Sequence, residues 1–174
     1  SGGRAMAQLI NQLFLAAFDN EFLRPMNDQA SFPVFNGRMV MSTDSHVITP
    51  LFFPGGDIGS LSVHGTINDV AMSGAKPCYL AASFILEEGF PLSDLKRIAD
   101  SMAQAARAAR VPIVTGDTKV VEKGSGDGVF ITTTGIGMVP DGINISSENA
   151  LPGDKILVSG TLGDHGMAIM AERE

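Results

Sequence analysis

Three aspartates and one lysine have the types and surroundings that could do chemistry: Asp44 in Ser42-Thr43-Asp44-Ser45, Asp69 in Asn68-Asp69, and Asp117 with Lys119 in Gly116-Asp117-Thr118-Lys119. Each aspartate stands at the end of an apolar segment or inside a helical one, beside polar neighbours. Magnesium takes a few carboxylate oxygens and completes its shell with water and phosphate oxygens, so separate aspartates that converge in space suit a metal–nucleotide site. Lys119 adds a point charge fit for a phosphate. Taken singly, each aspartate has a plainer reading: Asp44 as a turn cap, Asp69 on a solvated helix face, Asp117 as the shaper of a Gly-Asp turn. Together they favour the metal site.

Other chemistries find less support. No Walker-type glycine-rich lysine loop occurs, and Gly124-Ser125-Gly126-Asp127-Gly128 lacks the strand-to-helix setting of a dinucleotide loop and reads as a hairpin turn. His46, His64 and His165 show no metal spacing and no evident base partner, although His46 adjoins Asp44. No Gly-x-Ser-x-Gly elbow surrounds a serine, and Cys78, between Pro77 and an apolar run, reads as an inert thiol.

The elements that must position these residues follow from periodicity. Leu9, Ile10, Leu13, Phe14, Ala17 and Phe18 recur at helical spacing from Met6, so the chain opens with an amphipathic helix that ends before Pro25. Arg38 to Thr43 reads as a strand leaving an Asn-Gly turn, with Asp44 at its end. After a proline- and glycine-rich loop, Leu61 to Met72 is expected as a helix holding Asn68 and Asp69, closed by Gly74 and Pro77. Tyr79 to Leu86 reads as a buried strand, and Leu92 to Ala109 as a long alanine-rich helix stopped at Val111-Pro112. Further strands are expected at Ile113 to Thr115, Gly128 to Val139 and Lys155 to Ser159, then a turn at Gly160 to Gly163 and a helix running to Glu174. Strands alternating with helices imply an α/β (α+β) fold, a mixed sheet covered by helices.

Composition sets the outer bounds. At 174 residues the chain is long enough for one well-buried core, or one domain and the opening of a second. Its net charge is -7 and its twelve basic residues are scattered, so nothing favours a nucleic-acid partner. One cysteine excludes an internal disulfide, and no apolar run reaches membrane-spanning length; a reducing cytoplasm is expected.

Several stretches carry a family resemblance. Ser42-Thr43-Asp44-Ser45, the loop Pro50 to Gly59 and Gly65-Thr66-Ile67-Asn68-Asp69-Val70-Ala71-Met72-Ser73-Gly74-Ala75 are similar to the ATP-binding domain of the aminoimidazole-ribonucleotide-synthetase-like (PurM-like) superfamily. Phe52-Phe53-Pro54-Gly55-Gly56-Asp57-Ile58-Gly59, Phe84 to Gly89, Ile113 to Val121 and Val158 to Gly166 closely resemble its HypE branch, the carbamoyl dehydratases of nickel–iron hydrogenase maturation. Ser1 to Met6 looks like that family's glycine-rich N-terminal segment. The resemblance implies a PurM N-terminal-domain-like fold over residues 1–160, with 161–174 opening a second domain; that domain and the family's C-terminal cysteine lie outside this sequence. It also implies a homodimer formed through the sheet, with ATP and Mg2+ held near the subunit interface by Asp44, Asn68, Asp69, Asp117 and Lys119. Asp44, Asp69 and Asp117 would face the metal, and Lys119 and Asp69 would serve the chemistry. The implied reaction is the ATP-dependent dehydration of a carbamoylated C-terminal cysteine to a thiocyanate. The implied partners are a carbamoyltransferase and an iron-scaffold complex. A small-molecule kinase or synthetase of the same superfamily, and a non-catalytic dimerisation and docking module, are the alternatives.

Overall fold

A computed structural model of the chain describes residues 3–33 and 36–173. Ser1 and Gly2 of the glycine-rich segment lie outside the described residues, as does Glu174 at the end of the last expected helix. The elements run α1 (Gly3–Leu9), a π-helical stretch (Ile10–Leu15), α2 (Ala16–Phe18), β1 (Arg38–His46), β2 (Phe52–Phe53), β3 (Gly56–Asp57), α3 (Ile58–Ala71), β4 (Lys76–Glu87), α4 (Leu92–Ala109), β5 (Ile113–Val121), β6 (Val129–Val139), a 3-10 turn (Ser147–Asn149) and α5 (Asp164–Arg173).

Four strands form one mixed sheet in the order β1-β6-β4-β5. β1 and β4 each run antiparallel to β6, while β4 runs parallel to β5, its crossover supplied by α4. Alternation along β4 and β6 sends Leu80, Ala82, Phe84, Leu86, Val129 and Ile131 to one face, where they meet Ile58 and Val63 of α3 and Leu95, Ile98 and Met102 of α4. All these side chains are buried.

Helix α3 begins at a reciprocal cap: Asp57 accepts from the Ser60 amide at 2.9 Å and Ser60 Oγ accepts from the Asp57 amide at 3.1 Å. It lies unusually close to its neighbours. A Cβ at Gly59 would fall 2.5 Å from the Ile98 carbonyl of α4, and one at Gly137 would fall 2.4 Å from Val70. Buried hydroxyls fasten the same helix to β6, with Thr66 Oγ1 and Thr133 Oγ1 2.6 Å apart and Thr133 Oγ1 donating to the Ser62 carbonyl at 2.8 Å.

Among the described residues, the opposite face of the sheet is largely uncovered. It carries the exposed Met39, Met41 and Ile85, and hydroxyl pairs at Thr43–Thr134 (2.9 Å) and Ser45–Thr132 (3.0 Å). Phe32, from the segment after α2, stacks on Tyr79 at one end of it, and Phe22 meets the same ring edge-on.

Two expectations are corrected. Lys155 to Ser159 forms no strand: Ile156 and Leu157 are 92% exposed and find no strand to pair with among the described residues. The run has strand composition, but a strand needs a neighbour. The Gly124 to Gly128 turn is not a hairpin either, because β5 and β6 are not adjacent; the connection steps past the end of β4. Glu87, the last residue of β4, holds it there by accepting from the amides of Gly124 and Gly128.

Candidate functional site

The sequence-derived residues fall into two groups at opposite edges of the sheet. The first lies between β1 and α3. Ser42, Asp44 and His46 alternate along β1, and their pairing partners Gly135, Thr133 and Ile131 place them on the helix-covered face. Ser42 Oγ donates to Asp69 Oδ2 at 3.1 Å, which ties the strand to the exposed end of α3. Asn68 is exposed beside it. His46 Nε2 sits 3.3 Å from Asp44 Oδ2; the imidazole is 6% exposed and the carboxylate 46%. Burial pushes the imidazole pKa down, opposed in part by the Asp44 charge. His46 therefore does have a partner, which its i,i+2 spacing from Asp44 on a strand could have revealed.

The second group lies on β5, the other edge. Asp117 pairs with Ser83 and Lys119 with Ile85, so both project from the uncovered face. Lys119 Nζ donates to Asp117 Oδ1 at 3.2 Å and lies 3.1 Å from Oδ2, and this hydrogen bond is the main cause holding the Asp117 carboxyl below the usual range. Both are exposed, and such a pair contributes little to stability. Its charges are free to meet a ligand. Beside it, the free edge of β5 and the first helix enclose a groove of about 530 Å³, floored by Met6, Ile10, Phe14 and Phe84 and rimmed by Thr115 to Lys119. That volume suits a small molecule. The part of Met6, Ile10 and Phe14 in this groove was hidden in the sequence behind their ordinary helical periodicity.

Within one chain the two groups do not meet. The rung Asp44–Thr133–Ala82–Gly116 crosses the whole sheet, which puts β1 and β5 three interstrand spacings apart, roughly 14 Å, with Asp44 and Asp117 on opposite faces. Among the described residues no three potential ligands cluster. The expected convergence of Asp44, Asp69 and Asp117 is therefore not made by a single copy.

The donors nevertheless fit a hard divalent cation. Asp44 and Asp69 present carboxylate oxygens at one strand–helix junction, Asp69 accepting from the Ser42 hydroxyl and Asp44 lying 3.3 Å from His46 Nε2, and magnesium commonly takes one or two carboxylates plus phosphate and water.

Comparison with known proteins places the fold. The family described as AIR synthase related protein, N-terminal domain, matches residues 26–139. The chain is 74% identical, over its whole length, to half of the carbamoyl dehydratase HypE of Cupriavidus necator. A solved structure of hydrogenase maturation protein HypE in complex with ATP superposes with a TM-score of 0.96 at 54% identity, over 99% of this chain and 51% of that one. HypE in a HypE–HypF complex superposes with a TM-score of 0.78 at 58% identity, over 95% of this chain and 53% of that one. The chain spans about half the length of the curated relatives it matches. With its mixed four-stranded sheet, its helix-covered face and this span of sequence similarity, the chain belongs to the AIR synthase related family, whose N-terminal domain it carries, and within that family it is similar to the HypE carbamoyl dehydratases.

Proposed function

We propose that this chain is the nucleotide-binding part of an ATP-dependent carbamoyl dehydratase that makes the cyanide ligand during nickel–iron hydrogenase maturation in the cytoplasm. Two observations support the reading together: similarity to HypE runs through the entire chain, and both acidic groups lie within it. Residues 161–174 would open the second domain. A HypF-like carbamoyltransferase and an iron-scaffold complex would be the partners, in keeping with the HypE–HypF complex formed by a relative.

The split between the two groups points to a site completed by two copies. The uncovered face of the sheet, with Met39, Met41 and Ile85 exposed, is the surface a second copy would cover, and an isologous dimer repeats every contact twice. Asp117 and Lys119 of one copy would then lie against the β1 edge of the other, around which its Asp44, Asn68 and Asp69 would be reached. ATP would lie between them. A bound Mg2+ would neutralise phosphate charge, with Asp44 and Asp69 as carboxylate ligands on one side and Asp117 on the other.

In the proposed reaction the oxygen of an S-carbamoyl cysteine attacks the γ-phosphorus of ATP and ADP leaves. The nitrogen loses one proton as the O-phosphorylated C=NH intermediate forms; loss of its second proton with expulsion of phosphate then forms the C≡N triple bond of a thiocyanate. Phosphorylation is needed because an amide oxygen leaves poorly and phosphate leaves well. Lys119, on a rigid strand, would stabilise the charge on the transferring phosphoryl group. Asp117 orients the ammonium in its absence.

Calorimetry with Mg-ATP tests nucleotide binding directly, since a pure docking module would give no binding heat. A single-turnover assay on pre-carbamoylated full-length protein tests Lys119. Lys119→Ala should slow thiocyanate formation more than it weakens ATP binding, and an unchanged rate would remove Lys119 from the chemistry.

A further inference from the structure

His46 is a buried polar side chain that the proposed reaction does not use. It ends β1 under α3, only 6% exposed, with Nε2 3.3 Å from Asp44 Oδ2; among the described residues Nδ1 makes no hydrogen bond of good geometry, although the Ile131 backbone oxygen also acts on the ring. The charged acceptor beside the ring is the Asp44 carboxylate, whose pull favours a proton on Nε2. The helix opposite is shaped to allow this. A Cβ at Gly65 would fall 3.0 Å from His46 Nε2 and 3.4 Å from Asp44 Oδ2. A glycine in a helix interior is destabilising by roughly 0.5–1 kcal/mol relative to alanine, so an open space at this one position has a consequence for the pair beneath it.

We propose that His46 is a positioning residue: its Nε2–H fixes the half-exposed Asp44 carboxylate so that the second oxygen is presented to the metal–nucleotide complex. This rests on the reading of Asp44 as a metal-facing residue. Without the imidazole, Asp44 would sample several rotamers and would have to be ordered when the ligand arrives. Partners that hold a ligating carboxylate or imidazole typically change metal affinity about 10- to 100-fold when removed.

The test uses the whole chain, with Mn2+ binding followed by electron paramagnetic resonance and Mg-ATP binding by calorimetry. The variants are His46→Gln, whose amide N–H reaches the place of Nε2, His46→Asn, whose amide stops near the place of Nδ1, and His46→Leu. The expected result is near-native affinity for the glutamine variant and affinity about ten-fold weaker for the asparagine and leucine variants. The leucine effect should vanish when Asp44→Asn is already present. A merely structural histidine would not separate glutamine from asparagine at matched melting temperatures. If the leucine variant does not fold, the glutamine–asparagine contrast alone decides, and equal affinities overturn the proposal. If Asp44→Asn by itself leaves Mn2+ and Mg-ATP binding unchanged, the metal-facing reading of Asp44 fails. If Asp44→Asn weakens binding while all three His46 variants bind as wild type, only the positioning role fails.

Discussion

Asp69 projects from the exposed end of α3, where its carboxylate accepts from the Ser42 hydroxyl at 3.1 Å. A carboxylate so placed adds little to the core, and its loss should be felt by a ligand more than by the fold. Asp69→Asn is expected to change folding stability by no more than about 0.5 kcal/mol and to weaken Mg-ATP binding at least about ten-fold, close to 1.4 kcal/mol. Denaturant melts and calorimetry on one preparation check both halves; an unchanged dissociation constant removes Asp69 from the site. Glu87 works differently. Two amides, Gly124 first and Gly128 second, hold its carboxyl below the ordinary glutamate range. The folded chain thus takes up the Glu87 proton less readily than the unfolded chain. The clamp's contribution is whole above the ordinary range and is lost as pH falls through the depressed value. In an NMR titration the Gly124 and Gly128 amide resonances should move together, with one midpoint below that range. Independent midpoints would mean that Glu87 does not hold the loop. Asp44, Asp69, Asp117 and Lys119 were legible in the sequence as types that suit a metal nucleotide. Which of them share a face was not, since facing depends on register and strand order.

The elements were legible where periodicity and breakers agreed. The helix from Leu92 to Ala109, with its alanine stripe, and the β-branched strand ending at Val139 have the expected boundaries within a residue or so. β1 runs on past Asp44 to His46, and β5 past Thr115 to Val121, because pairing with β6 and β4 carries polar residues that propensity alone would leave in loops. The segment Lys155 to Ser159 errs in the opposite direction, having strand residues and no neighbour. Glycines hold the layers together. Gly59 lets α3 approach α4 so closely that a methyl group would meet the Ile98 carbonyl, a backbone atom that cannot swing aside. Gly59→Ala is therefore expected to lower stability by about 1–3 kcal/mol despite its better helix propensity. Chemical denaturation measures the difference, and a neutral or stabilising result would show that the two helices can part freely.

At the scale of the molecule, one chain holds two groups of candidate residues on opposite edges and faces of one sheet, some three strand spacings apart. A nucleotide site of the proposed kind needs two copies, each giving Asp44, Asn68 and Asp69 to one site and Asp117 and Lys119 to the other. Mixing two defective variants tests this most directly. One chain carries Asp44→Asn with Asp69→Asn, the other Asp117→Asn with Lys119→Ala, and each alone should fail to bind Mg-ATP. After dissociation and random reassociation, half of the dimers are mixed and each mixed dimer regenerates one intact site, so calorimetry should recover about a quarter of the wild-type stoichiometry at wild-type affinity. No recovery from a mixture shown by light scattering to contain mixed dimers would mean that the two groups do not complete each other, contradicting a site shared between copies.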